Sequence, residues 1–497
     1  MNLSELKSGS DIRGTAYGEH VNLTEDVAGR VAMAYVQLLC ERYRWTSHEI
    51  CIAIGRDSRV SGERLARAFA EGVAAAGANA ALFGMCTTPS MYHCLIKQPE
   101  RYSASVMVTA SHHPFDKNGL KFFTRDGGLN SKDIEYLLRT ASQEEQQIKS
   151  KKGLILTHGY LREYIKDLKN IIKTKLHEHT KPLQGMHIVV DAGNGAGGFY
   201  ADMLADLGAD ISGSQYLDPD GFFPNHAPNP ENAKAMSSLS QAVLKAHADL
   251  GVIFDADCDR AAIVDGQGKE INRNRLIALI SCILLQKTQN IIIVTDSVTS
   301  TGLSRFIAAN GGKHHRFKRG YRNVIDEAIR LNAEGLDAPL AIETSGHCAL
   351  RDNHYIDDGM YLATLLILTA KQLSAEGKVL ADLIAALEEP AESTERRIRI
   401  LDKDFRSVGE RVIHKLEEYF QKQDGWDIVL PNFEGIRVNY AHEGKRDGAW
   451  FLLRLSVHDP VMPLNIESES TGAVEKILAK LRVLLQDEVM LDISALE

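Results

Sequence analysis

The sequence predicts an α/β protein built mostly on doubly wound parallel sheets and closed by a smaller α+β domain. Two observations predict it. Short β-rich runs alternate with amphipathic helical patterns through most of the chain, whereas the segment after residue 389 brackets a β-rich meander between two helical patterns. A length of 497 residues suits three to four domains at roughly 150 residues each. The pattern reads as four, 1–150, 151–267, 268–388 and 389–497.

Cys51–Ile54 is a short β-rich run, and the helix expected over Ser61–Ala76 repeats Leu65, Phe69 and Val73 on one face. A strand over Ala80–Phe83, a helix over Ser90–Ile96 and a strand over Ser105–Val108 follow. The polar stretch Glu144–Lys152 lacks apolar periodicity and reads as a linker. The second unit, from about Gly153 to Gln267, carries strands His187–Asp191 and Leu250–Phe254. The third opens with a helix over Arg273–Gln286, includes strands Ile291–Val294 and Leu340–Ile342, and closes with a long helical stretch from Asp358 to Leu387. Pro390 marks the next boundary. In the terminal domain, helices Val408–Tyr419 and Val474–Gln486 surround strands Ile436–Tyr440 and Trp450–Leu455. No low-complexity segment and no short repeat interrupts this order.

Composition narrows the function classes. Apolar residues make up 44% and charged residues 25% of the chain, an ordinary globular balance, and the formal charge is −9. General nucleic-acid binding, which leans on a basic face, is therefore not expected. The longest apolar stretch, Leu276–Leu285, is too short for a bilayer crossing of about 20 residues. The segment MNLSELKSGS does not read as a signal peptide. The cysteines at 40, 51, 86, 94, 258, 282 and 348 form no CxxC pair and leave one over if paired, which points to a reducing compartment and a cytoplasmic location.

Several short segments carry chemistry. In SVMVTASHHPFDKNGLKFF, Ser111 stands just past a buried strand, followed by His112 and His113. Loops at the carboxyl ends of parallel strands are where α/β proteins bind ligands. Ser111 reads as a covalent nucleophile served by His112 or Lys121, or as an ordinary turn serine. The absence of GxSxG argues against an α/β-hydrolase. In DLGVIFDADCDRAAIVDG, Asp255, Asp257 and Asp259 follow a strand at spacing two. If the chain stays extended, the carboxylates project to one side, and their mutual repulsion calls for a hard cation, Mg²⁺ rather than Zn²⁺. An EF-hand would need Gly where Arg260 stands and an acidic residue where Gly266 stands. A solvated acidic turn is the competing reading.

HIVVDAGNGAGGFYADML satisfies GxGxxG at Gly193, Gly195 and Gly198, with Asp210 and Asp218 downstream. It fits either a dinucleotide site or a strand-to-helix turn that packs closely. ETSGH places Glu343, Ser345 and His347 together, a set able to bond sugar hydroxyls or to form a polar turn. RFKRGYR gathers Arg316, Lys318, Arg319 and Arg322 around Gly320, as an anion contact or a solvated basic turn. In LLRLSVHDPVMPLNIES, Arg454, Ser456 and His458 follow a strand; Arg, hydroxyl and backbone N–H together suit phosphate.

Taken together these segments resemble the α-D-phosphohexomutase superfamily, the phosphomannomutase/phosphoglucomutase enzymes. SDIRG (Ser10–Gly14) is similar to the family's N-terminal arginine motif and GRDSRVSG (Gly55–Gly62) to its next segment. TASHHP resembles the phosphoserine loop TASHNP, DADCDR the metal loop DGDGDR, ETSGH the sugar loop EMSGH and RLSVHDP the phosphate loop RPSGTEP. The departures are His113 for Asn, Ala256 and Cys258 for two glycines, Thr344 in the sugar loop, and Leu455, Val457, His458 and Asp459 in the phosphate loop.

The resemblance implies three related mixed α/β domains plus a smaller C-terminal α+β domain around a central active-site cleft. It implies reversible migration of phosphate between the 1- and 6-positions of a hexose, mannose or glucose first. Ser111 would carry the phosphoryl group through a hexose 1,6-bisphosphate intermediate, with Mg²⁺ held by Ser111, Asp255, Asp257 and Asp259. His112, Lys121, Arg13 and Arg260 would handle protons and charge, Glu343, Ser345 and His347 the ring hydroxyls, and Lys318, Arg454, Ser456 and His458 the other phosphate. The implied partner is a phosphorylated hexose, without nucleic acid or membrane, and the implied assembly is a monomer or homodimer. Three alternatives stand beside this: a phosphoglucosamine mutase, a diverged non-catalytic phosphoprotein of the same fold, and a dinucleotide-dependent oxidoreductase.

Overall fold

The computed structural model describes residues 2–143, 151–456 and 459–497. They form two units, Met1–Leu276 with Ser345–Leu383, and Ile277–Thr344 with Ile384–Glu497.

In the first unit the strands Ala104–Val108, Cys51–Arg56, Asn79–Met85 and Ile155–Thr157 run parallel in that order. The expected helices lie between them, as Gly62–Ala75 and Thr88–Lys97. Leu65, Phe69 and Val73 are fully buried, and each such side chain contributes about 1.5–3 kcal/mol to the core. The second of these helices starts on a capping box between Thr87 and Ser90, with Pro89 in its first turn. A further helix, Glu25–Tyr43, is capped by the Thr24 hydroxyl, which accepts from the Val27 N–H, and buries Val27, Val31 and Leu39. The sequence pattern did not single it out.

The sheet is mixed rather than wholly parallel. Lys117–Thr124 runs antiparallel to Ala104–Val108, and Asp11–Thr15 runs antiparallel to Lys117–Thr124. The connection from 109 to 116 is a short reversal, and a parallel return needs a crossover of about a dozen residues or more. Ile155–Thr157 belongs to this first sheet, beyond the boundary read at residue 150. Most of the stretch read as a linker lies outside the described residues.

A four-stranded sheet completes the first unit. Ile188–Asp191 is parallel to Leu250–Phe254, which forms an antiparallel hairpin with Ala261–Asp265, and Glu270–Ile271 pairs outside it. The helical stretch expected over Asp358–Leu387 is shorter: a helix spans Gly359–Ser374, and a 3₁₀ turn spans Leu380–Ile384. Between them Gly377 has φ of 70°, a conformation that stops a helix at no steric cost to glycine.

In the second unit Lys313–Arg316, Ile292–Thr295 and Leu340–Ile342 are parallel neighbours. The terminal domain's sheet runs Trp426–Ile428, Ile436–His442, Lys445–Leu453, Val461–Ser468, Glu392–Ile400, Leu491–Asp492, antiparallel throughout. The helices Phe405–Phe420 and Ala473–Leu485 bury Val412, Leu416, Ile477 and Leu481 in its core. Among the described residues, no helix is long and apolar enough to cross a membrane.

Candidate active site

The strand Ala104–Val108 is buried along its whole length, and the chain leaves it through Thr109 into the loop that carries Ser111. Ser111 is fully buried, with φ of 50°. Its hydroxyl donates to Asp255 Oδ2 at 2.7 Å, although 144 positions separate the two residues. Asp255 opens the hairpin loop between Leu250–Phe254 and Ala261–Asp265.

That loop does not remain extended. It turns at Cys258, whose φ is 64°, and the turn rather than strand alternation gathers the acidic side chains. One carboxylate oxygen from each of Asp255, Asp257 and Asp259 lies within 4.8 Å of the others, and all three residues are buried. Two cationic side chains face them. Lys121 donates to Asp257 Oδ2 at 3.1 Å and also to Asp259 Oδ2. Arg260 Nε lies 3.6 Å from Asp255 Oδ2. Asp257 Oδ1 and Asp259 Oδ1 are buried without a hydrogen-bond partner. Clustered buried carboxylates with unpaired oxygens are costly unless a cation compensates them. Hard oxygen donors in this number fit a divalent ion such as Mg²⁺. Electrostatics divide the set: burial, then Asp259 and Asp257, pushes the Asp255 carboxyl well up, whereas Lys121 and His347 outweigh burial and hold Asp259 well down.

Arg260 ties the groups together. Its Nη2 lies 3.3 Å from Ser111 Oγ and 2.5 Å from His112 Nδ1, and its Nε lies 3.3 Å from His347 Nε2. Burial, then the charges of Arg260, His113 and Arg13, pushes the His112 ring far down, so it is neutral and offers an acceptor. Burial, then the charges of Arg13, Arg59 and Arg260, pushes His113 down to about 4. Arg13 is paired with Asp11 at 3.0 Å and keeps its Nε without a hydrogen-bond partner. Ser345 Oγ is 2.9 Å from His347 Nδ1, and His347 Nε2 lies 3.7 Å from Asp259 Oδ1 in the acidic loop.

The other expected residues lie in the second unit. Glu343 Oε1 accepts from the Gly320 N–H at 2.6 Å, and Lys318 is exposed on the strand-to-helix loop before it. Arg454 and Ser456 follow the strand Lys445–Leu453, and Arg454 Nε is buried without a hydrogen-bond partner. His458 lies outside the described residues.

The sequence pattern missed three participants. Thr88, in the first turn of its helix, donates its hydroxyl to Asp257 Oδ2 and its N–H to Asp257 O. In the second unit, buried Asp296 accepts from the Thr344 hydroxyl at 2.7 Å. Burial and the neighbouring Glu343 push Asp296 up to about 7. The third is Arg59, within GRDSRVSG; its Nη2 donates to the Ser111 carbonyl at 2.6 Å.

The glycine turn proves to be the wall behind the acidic loop. A Cβ on Gly195 would lie 2.7 Å from Ala256 Cα, and one on Gly198 would lie 2.0 Å from Leu217 O. Asp191 is occupied by His226 at 3.0 Å, Gln215 at 2.7 Å and the Gly193 N–H at 2.8 Å. Backbone fills the space that a pyrophosphate would take, so the close-packing reading holds. Gly195→Ala is expected to destabilise the fold by about 1–3 kcal/mol, as overpacking does, read as a lower melting temperature; an unchanged melt would contradict this contact.

Comparison with known proteins finds three consecutive matches along the chain. Descriptions of phosphoglucomutase/phosphomannomutase α/β/α domains I, II and III match residues 5–149, 162–268 and 272–390. The chain belongs to the phosphoglucomutase/phosphomannomutase family. It is 29% identical over 429 residues to a phosphomannomutase/phosphoglucomutase of Pseudomonas syringae pv. tomato, covering 86% of this chain and 85% of that protein. It is also 29% identical over 490 residues to a phosphomannomutase of Escherichia coli K12, covering 96% of this chain and 97% of that one. A crystal structure of a phosphoglucomutase/phosphomannomutase family protein from Burkholderia thailandensis superposes with a TM-score of 0.80 at 26% identity, covering 97% of both chains. Family membership makes this chain an isomerase of the mutase type.

Proposed function

We propose that this mutase interconverts hexose 1-phosphates and hexose 6-phosphates, of mannose or glucose, with Ser111 as phosphoryl carrier. The observation that carries the reading is the Ser111 hydroxyl on Asp255, at the edge of a buried carboxylate cluster two of whose oxygens have no hydrogen-bond partner. A phosphoryl group on Ser111 Oγ passes to the free hydroxyl of the bound hexose phosphate, forming a new P–O bond as the bond to Oγ breaks. The resulting 1,6-bisphosphate turns over and returns its other phosphoryl group to Ser111.

Asp255, Asp257, Asp259 and Ser111 would hold Mg²⁺, which supplies charge neutralisation on the transferring group. Lys121, whose ammonium is held by Asp257 and Asp259, would donate a hydrogen bond or a proton to the attacking or leaving oxygen. Arg260 flanks Oγ and stabilises charge there, and neutral His112 offers its Nδ1 as an acceptor 3.4 Å from Oγ. Arg13 adds positive charge beside the histidines. Glu343, Ser345 and His347 hold ring hydroxyls, and Lys318, Arg454, Ser456 and His458 grip the phosphate that is not transferring. We place the enzyme in the cytoplasm as a monomer or homodimer, which sedimentation measurements distinguish.

The test is ³¹P NMR of the protein with Mg²⁺, a catalytic amount of hexose 1,6-bisphosphate, and mannose 1-, glucose 1- or glucosamine 1-phosphate in turn. Conversion of the first two to 6-phosphates supports the reading. Conversion of glucosamine 1-phosphate alone, or of none, overturns it.

The terminal loop gives a further expectation. A bisphosphate must be gripped in either orientation, so its far phosphate needs a contact that does not read the sugar. Losing a charged hydrogen bond costs about 1.5–3 kcal/mol, roughly ten- to a hundredfold in kcat/KM. Arg454→Ala should lower kcat/KM by a similar factor for every accepted sugar phosphate, whereas Glu343→Gln should change the ranking among them. Equal kcat/KM for Arg454→Ala and wild type would remove this residue from the phosphate grip.

A further inference from the structure

Arg59 has no solvent-exposed side-chain surface, and every N–H of its guanidinium has an acceptor. Nε donates to Asp57 Oδ2 at 3.2 Å. Nη1 donates to the carbonyls of Pro114 at 2.6 Å and Lys117 at 2.9 Å, and Nη2 to those of Ser111 and His113, each at 2.6 Å. A guanidinium has five N–H donors in a fixed fork. Here four of them hold one loop, the loop that carries Ser111. Asp57 extends the grip to the start of that loop: its Oδ2 accepts from the Thr109 hydroxyl at 2.6 Å, and Thr109 Oγ1 accepts from the Ser111 N–H at 2.8 Å. Ser111 is therefore fixed by its N–H, its carbonyl and its hydroxyl at once.

The remaining face of Arg59 is sealed. The Phe223 ring lies 5.1 Å from its guanidinium carbon, and Gly221 packs against the backbone at Arg59, where a Cβ would stand 2.4 Å from Ser58 O. Buried carbonyls need partners. Without the fork, the buried Ser111 carbonyl would lose its partner, and the loop carbonyls would be free to turn and carry their negative ends toward an anionic phosphoserine. The fork removes both outcomes and places a fixed positive charge beneath the loop.

We propose that Arg59 is the positioning residue of the phosphoryl-carrier loop, holding Ser111 in its left-handed conformation with the hydroxyl on Asp255, and that its planar fork rather than its charge does this. The inference rests on Ser111 being the phosphoryl carrier. Lysine keeps the charge but offers three donors around a point, so it cannot hold four carbonyls and an aspartate.

The experiment compares full-length wild type, Arg59→Lys and Asp57→Asn. It records thermal melts, the intact mass after incubation with hexose 1,6-bisphosphate, and kcat and KM for whichever of glucose or mannose 1-phosphate wild type accepts, below the melting range. A displacement of about 1 Å costs on the order of a hundredfold in rate, so folded Arg59→Lys should lose roughly that factor in kcat while KM stays within about threefold. Asp57→Asn keeps the fork on the carbonyls but loosens its anchor, and should lose about tenfold in kcat by the same reasoning. Folded Arg59→Lys with wild-type kcat, or with its loss confined to KM, overturns the proposal. Should Arg59→Lys not fold, wild-type kcat in folded Asp57→Asn overturns it instead. Wild type that turns over without phosphate on Ser111 removes the carrier itself, whereas phosphorylated wild type beside an indifferent Arg59→Lys removes only the role of Arg59.

Discussion

Replacing Ser111 with alanine is expected to lower mutase turnover by on the order of 10⁴-fold or more, as loss of a covalent nucleophile does elsewhere. The hydroxyl is small, buried and bonded to Asp255. Alanine removes one oxygen without disturbing the loop, because Arg59 and Thr109 hold Ser111 through its backbone carbonyl and N–H. The melting temperature should therefore move little while turnover collapses. Intact-mass measurement of wild type should show one phosphate on Ser111, absent from the variant. Normal turnover in Ser111→Ala, with no phosphate elsewhere, would sink the carrier mechanism.

Exhaustive treatment with EDTA is expected to lower turnover by about a hundredfold or more, since the ion supplies several kcal/mol to such a transition state. Three buried carboxylates face Lys121 and Arg260, and two of their oxygens have no hydrogen-bond partner. Adding Mg²⁺ back should restore activity and raise the melting temperature, because a ligand that binds only the folded state stabilises it. Asp257→Ala should abolish turnover and remove that Mg²⁺-dependent rise. Zn²⁺ should restore less, being poorly matched to an all-oxygen site. Undiminished activity after EDTA, or an unchanged melt on adding Mg²⁺, would contradict the assignment.

Much of the architecture was legible because its signals are local. Leu65, Phe69 and Val73 recur on one helical face, and that face is buried. Leu250–Phe254 read as a strand and is one. The errors also have local causes. The antiparallel return of Lys117–Thr124 follows from a short connection, which periodicity does not register. The end of the helix at Ser374 turns on the backbone freedom of Gly377 rather than on any loss of apolar pattern. The acidic residues at spacing two were expected to align on an extended strand, yet they converge through a turn at Cys258.

Residue order alone was enough to place a serine and an acidic triplet each directly after a buried strand, because strand, turn and helix signals extend over only a few neighbours. It did not show that these two loops meet. Ser111 and Asp255 are 144 positions apart, and Lys121 and Asp257 are 136 apart. Nor did it show that Arg59 reaches four carbonyls of the serine loop across more than fifty positions. The first two contacts arise where separate sheets and their loops pack together, and those of Arg59 where two neighbouring strands of one sheet end side by side. A side chain's type and spacing record what it can bond, but only the packed fold supplies the partner and excludes the water that would otherwise compete for it.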